Sequence, residues 1–113
     1  MKRIVSASVY NSTAQAAQIM GQNIRAARQA RGWTMAEAAE RSVISLNTYK
    51  KIEAGDPSVA FGFWLQTFYQ LDLLQHLAQA TSPHVDQLGK ALRKEKAVQR
   101  VRNNKKEPAK YDF

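Results

Sequence analysis

The chain has 113 residues, of which 17 are basic and 9 acidic, giving a net charge of +8, and it contains no cysteine. That length suits one small domain and is too short for two ordinary ones, and the missing cysteines exclude disulfides, thiolate zinc sites and cysteine nucleophiles together. No apolar run approaches the roughly 20 residues of a membrane helix, and the N-terminus lacks the apolar stretch of a signal peptide, so a cytoplasmic protein with no membrane partner is expected.

Residues 1–12 open with KRIVSASVY, a loose alternation after two cations. This is either a short strand paired with another chain or a flexible N-terminal arm, and the arm is the expectation, with Lys2 and Arg3 able to touch phosphates. Thr13 to Arg31 reads as a helix with a narrow apolar stripe of Ile19, Met20, Ile24, Ala27 and Ala30. Gly32 ends it, and Trp33 is large enough to seal the junction with the next element. Arg25, Arg28 and Arg31 follow at three-residue spacing, as a solvated face, a phosphate-facing ridge or in part an internal ion pair.

Thr34 begins a capping box: its hydroxyl can accept from the backbone N–H three residues on while Glu37 reaches back to the Thr34 N–H. Met35 to Arg41 is a run of helix formers, with small Ala36 and Ala39 where a second helix can come close. The run stops at Ser42-Val43-Ile44. Ser45 then suits an N-cap, and Leu46 to Ala54 is helical up to Gly55, which can take a left-handed C-cap. Tyr49 and Ile52 point to one side of this helix, while Leu46, Asn47, Lys50 and Lys51 fill an arc of roughly 140° on another. Lysine donates to guanine, asparagine reads adenine and leucine touches a thymine methyl, so this arc fits the major groove; the alternative is a solvated face.

Asp56-Pro57-Ser58 is a turn. Beyond it, five of the ten aromatic residues, Phe61, Phe63, Trp64, Phe68 and Tyr69, fall within nine positions. Two helices are expected, roughly Phe61 to Leu71 and Leu73 to Ala80. The aromatics spread around the circumference, so one core cannot bury them all, and part of their surface is expected against a second copy or a partner. Thr81-Ser82-Pro83 breaks the second helix. His84 to Lys94 is read as one more, with Val85, Leu88 and Leu92 inward. Up to Gly89 there are 8 basic and 6 acidic residues (net +2), and from Lys90 on 9 basic and 3 acidic (net +6). That excess favours a polyanionic partner, although basic tails also serve solubility. The end, RVRNNKKEPAKYDF, is too poor in apolar residues to fold alone; it is a nucleic-acid arm, a docking peptide anchored by Tyr111 and Phe113, or a solvated tail. His76 and His84 have no partners at metal-ligand spacing and read as surface or boundary residues.

The stretch IRAARQARGWTMAEAAERSVISLNTYKKIEAG resembles the phage-repressor, or XRE-type, helix-turn-helix family. The likeness covers residues 19–80, and Arg28, Gly32, Thr34, Glu37, Ala39, Ile44, Ser45, Ile52, Glu53 and Gly55 fall in register with the family pattern. It implies an all-α fold: a five-helix helix-turn-helix domain over 13–80, an additional helix over 81–94 and a flexible basic tail over 95–113. It also implies that the third helix docks in the major groove, with Ser45, Leu46, Asn47, Lys50 and Lys51 reading bases. Thr34 falls where the family contacts phosphate, and Thr48 and Tyr49 are divided between packing and phosphate contact. Arg28 and Glu53 correspond to the family's structural ion pair. Two positions depart from the pattern: Met35 stands where many members have glutamine, and Val43 where many have glycine. Since a β-branched residue is strained at positive φ, either the turn takes another conformation or the second helix ends differently.

GDPSVAFGFWLQTFYQLDLLQHLA followed by SPHVDQLGKAL is similar to the small regulators like HipB antitoxins, which accompany HipA-type kinase toxins. The implied function is a transcriptional regulator, bound as a homodimer to an inverted repeat in double-stranded DNA, that restrains a kinase-type toxin and represses its own promoter. The alternative is a stand-alone phage-type repressor. No cofactor, metal or catalytic residue is implied, because the chain has no Gly-rich phosphate loop, paired-histidine motif or nucleophile with a base beside it. It also lacks an RNP aromatic motif or GXXG loop for RNA.

Overall fold

The structure is a computed structural model that describes residues 10–106. Among these residues it is all helical: α1 (Asn11–Ala30), α2 (Met35–Arg41), α3 (Leu46–Glu53), α4 (Phe61–Gln70), α5 (Leu74–Gln79) and α6 (Gln87–Lys106). The expected basic arm at Lys2 and Arg3 and the anchors Tyr111 and Phe113 lie outside the described residues. Residues up to Gln75 form one compact unit and those from His76 a second, the division falling within α5.

The first unit is organised by caps. Thr34 and Ser45 each accept a hydrogen bond from the N–H three residues on, at 3.1 Å, and so fix the starts of α2 and α3. Glu37 does not reach back to the Thr34 N–H; its carboxylate accepts from the Thr34 hydroxyl at 3.2 Å. The ends of α1, α2, α3 and α4 share a second device, in which the N–H groups of the two residues after the C-cap bond back to carbonyls of the last turn. The left-handed residue in these four ends is Gly32, Val43, Gly55 and Asp72, with φ of 70°, 58°, 75° and 57°. Val43 resolves the departure noted above. The turn keeps the left-handed geometry that glycine favours, and a valine adopts it.

α3 packs against both α1 and α2, and α4 packs on α2. The core is Ile24, Ala38, Ala39, Tyr49, Ile52, Trp64, Phe68 and Leu71. Ala38 and Ala39 are small enough to admit α3. The buried side of α1 is Gly21, Ile24 and Arg28, not the full apolar stripe read from the sequence; Ile19 is more than half exposed, and Ala30 is exposed too. Where α1 crosses the end of α3 the two backbones touch. A Cβ on Gly21 would lie 2.6 Å from the carbonyl oxygens of Ile52 and Glu53, and one on Gly55 would lie 2.5 Å from the Cα of Gln18. Trp33 is half-buried and does not join the core; its ring lies under two guanidinium groups, Arg41 at 4.4 Å and Arg31 at 5.7 Å from the centroid.

In the second unit, the Asp86 carboxylate accepts from the Gly89 N–H and starts α6. α6 is twenty residues long and continues through the stretch from Glu95 that reads as a tail. Val85, Leu88 and Leu92, expected to face inward, are exposed. A scarcity of apolar side chains removes a reason to pack, and it leaves untouched the intrinsic preference of Ala, Leu, Lys, Arg, Glu and Gln for helix, which no Pro interrupts before Pro108.

Candidate nucleic-acid interface

α3 is held by its inner side so that its outer side stays free. Tyr49 and Ile52 are fully buried and Glu53 nearly so. The Arg28 guanidinium grips Glu53 with two bonds, Nε to Oε2 at 2.6 Å and Nη2 to Oε1 at 3.1 Å, and its Nη1 donates to the Trp33 carbonyl at 3.0 Å. One arginine on α1 therefore ties the last residue of α3 to the link between α1 and α2. The hydrogen bond to Glu53 raises the Arg28 pKa above its ordinary value despite burial, so the guanidinium stays charged. At the other end of α3, Gln66 of α4 donates to the Ser42 carbonyl at 2.9 Å and pins the turn that leads into it.

With the inner side committed, Ser45, Leu46, Asn47 and Lys50 are exposed and Lys51 is half-buried. Ala54, which the reading of charges and amides passed over, lies in the same exposed arc and gives it a flat, small centre. Among the described residues, no hydrogen bond or ion pair engages the side chains of Asn47, Lys50 or Lys51. Their donors are available to an external acceptor. Ser45 is both exposed and occupied: its hydroxyl accepts from the Thr48 N–H and donates to the Thr48 Oγ1 at 2.9 Å.

The positions matched to phosphate contacts divide. Thr34 is exposed at the start of α2, and Thr48 is half-buried beside Ser45. Tyr49 is 1 % exposed and faces no phosphate, a correction to its shared assignment. Burial, with the neighbouring Glu53 carboxylate as a second cause, raises its phenol above the ordinary tyrosine value. The aromatic cluster divides as well. Trp64 and Phe68 stack inside the core with ring centroids 6.4 Å apart, so they are not part of a partner surface. Phe61 (65 % exposed), Phe63 (41 %) and Tyr69 (67 %) face out. Phe61 and Tyr69 share one stripe of α4 with half-buried Leu65, and Gly62 beside them opens onto empty space.

No group of three or more histidine, aspartate or glutamate side chains that could hold a metal ion occurs among the described residues, and none of their helices is long and apolar enough to cross a membrane. Residues 24–61, about a third of the chain, match the helix-turn-helix family model, from the Ile24 turn of α1 to the start of α4. The match covers the capped helix pair and the Arg28–Glu53 clamp, and it supports a DNA-binding regulator. No curated protein and no solved structure matches the chain.

Proposed function

We propose that the chain is a sequence-specific DNA-binding transcriptional regulator in which α3 enters the major groove. The observation that carries this reading is the division of α3 into a clamped inner side and an outer side whose amide and ammonium groups have no internal partner. Asn47, Lys50 and Lys51 read base edges, Leu46 meets a thymine methyl, and Ser45 sits at the helix entry. Thr34 and Thr48 contact phosphate, which positions the domain without selecting sequence. The regulator acts as a homodimer on an inverted repeat with half-sites about one helical turn, ~34 Å, apart. Phe61, Phe63 and Tyr69 supply apolar surface of the kind that marks contact sites.

Selection of binding sites from a random duplex pool tests the reading. Lys51→Ala and Asn47→Ala should each relax the preference at one base pair per half-site, at a cost of about 1–3 kcal/mol. Retention of an unchanged preference by both variants would end the assignment of α3 as reader.

The same aromatic patch favours a second reading, restraint of a kinase-type toxin by a HipB-like antitoxin that also represses its own promoter. Expression with the flanking genes and mass spectrometry of the purified protein separates the two. A stoichiometric kinase-like protein is the antitoxin outcome; a clean homodimer leaves a stand-alone phage-type repressor.

A further inference from the structure

α6 gathers five of its cations on one side, a feature that the reading of α3 leaves unused. Gln87 to Asn104 is exposed at every position but Gly89, which is half-buried. Projected at 100° per residue, Lys90, Arg93, Lys94, Lys96 and Arg100 fall within an arc of about 160°. The helix's one acidic residue, Glu95, lies on the opposite side with Leu88, Leu92 and a further cation, Arg102. Only Arg93 has a described partner, the Pro83 carbonyl at 3.0 Å, which takes one of its five donors.

This basic side works against the helix when it stands alone. Lys90 and Lys94, like Lys96 and Arg100, are four residues apart, and like charges at that spacing repel by a few tenths of a kcal/mol per pair. A polyanion laid along this side screens each repulsion and offsets it by attraction to both cations. Lys90 to Arg100 spans about 15 Å of helix, a length over which duplex DNA presents roughly nine phosphates on its two strands. An anionic membrane matches less well. Helices that lie in a bilayer surface oppose their lysines with bulky apolar and aromatic residues, whereas α6 has no aromatic residue, and Glu95, Gln99 and Arg102 interrupt its apolar side.

We infer that α6 is a second DNA-contacting element, one that binds the phosphate backbone through Lys90, Arg93, Lys94, Lys96 and Arg100 without reading sequence. The inference rests on the DNA-binding role proposed for α3, and adds a sequence-independent share of the affinity to it.

The test is the salt dependence of binding by the full chain and by a variant carrying K90Q, R93Q, K94Q, K96Q and R100Q. The probe is a labelled random-sequence duplex, titrated between about 50 and 200 mM salt. Glutamine keeps helix preference, and circular dichroism verifies that α6 is retained. The slope of log Kobs against log salt should become shallower by about 3–4.5 units, and affinity at the lower salt should fall at least tenfold. An unchanged slope overturns the inference. So does an unchanged slope joined to preferential binding of phosphatidylserine vesicles by the native chain, which would assign α6 to membranes. Site selection run in parallel keeps the two proposals apart. If Lys51→Ala and Asn47→Ala leave sequence preference untouched while the α6 variant loses its slope, the reading of α3 fails and the backbone role of α6 stands.

Discussion

Val43 pays a conformational cost that nothing around it recovers. It is 78 % exposed, so its side chain buries little, yet its φ of 58° lies where a Cβ crowds the following carbonyl, at about 1–2 kcal/mol for a non-glycine residue. Val43→Gly should therefore raise stability by about 1 kcal/mol net of glycine's greater freedom in the unfolded chain, read as a higher urea midpoint with an unchanged slope. Asp72, in the same backbone region, is of a type that tolerates it and offers no comparable gain. Tyr49 sets an alkaline limit. Below the ordinary tyrosine pKa of about 10 the phenol is neutral whether the chain is folded or not, and its contribution is fully present. Above that value the unfolded chain sheds the proton while the folded one, its pKa raised by burial and by Glu53, retains it. Stability should then fall with rising pH by up to about 1.4 kcal/mol per pH unit, and Tyr49→Phe should remove that part of the slope in chemical denaturation at several pH values.

Among the elements, α3 depends most on one contact. Removing Glu53 as Glu53→Ala strands the buried Arg28 charge and should cost about 3–5 kcal/mol, whereas Arg28→Met with Glu53→Leu should lose far less, a contrast that equilibrium denaturation of the three proteins resolves. If the single and double variants were equally unstable, packing and not charge would hold the helix. How legible each element is in the sequence follows from the range of the forces that make it. Caps act over three or four residues, so Thr34, Ser45, Gly32 and Gly55 announce the helix ends directly, and the order of helices is readable from them. Depth is decided by neighbours distant in sequence. Counting apolar residues puts Ile19 and Ala30 on the inner face of α1, because Gly21 and Arg28 do not register as core residues until α3 is in place against them. Periodicity sets Tyr49 beside Ile52 and the resemblance leaves it divided between packing and phosphate, a choice that only its burial decides, and Trp64 and Phe68 cannot be told from Phe61 and Tyr69 until α2 covers α4. In α6 the limit is of the opposite kind: its stretch from Glu95 lacks the apolar residues that give a helix a reason to pack, but not the intrinsic preference that makes it coil.

For the whole molecule, the outward aromatic stripe of α4 gives the proposed homodimer a measurable form. Phe61→Glu with Tyr69→Glu places like charges where the two copies would meet, and sedimentation equilibrium should shift from dimer to monomer while the helical content stays constant. Binding to a two-half-site duplex should then drop toward that of a single half-site, because the second contact is no longer intramolecular. A dimer that persists would move the self-contact elsewhere on the chain. The meeting of α1 and α3 at Gly21 and Gly55 bears on how such a protein changes over time. There the two helices rest backbone on backbone, and the clamp at Arg28 and Glu53 holds the same end, so the pose of α3 is set by residues that never reach its outer side. Asn47, Lys50, Lys51 and Ala54 can be exchanged without disturbing the mounting. A lineage could rewrite which site it recognises one residue at a time and keep the same frame throughout, while almost any addition at Gly21 would be lost at the first step.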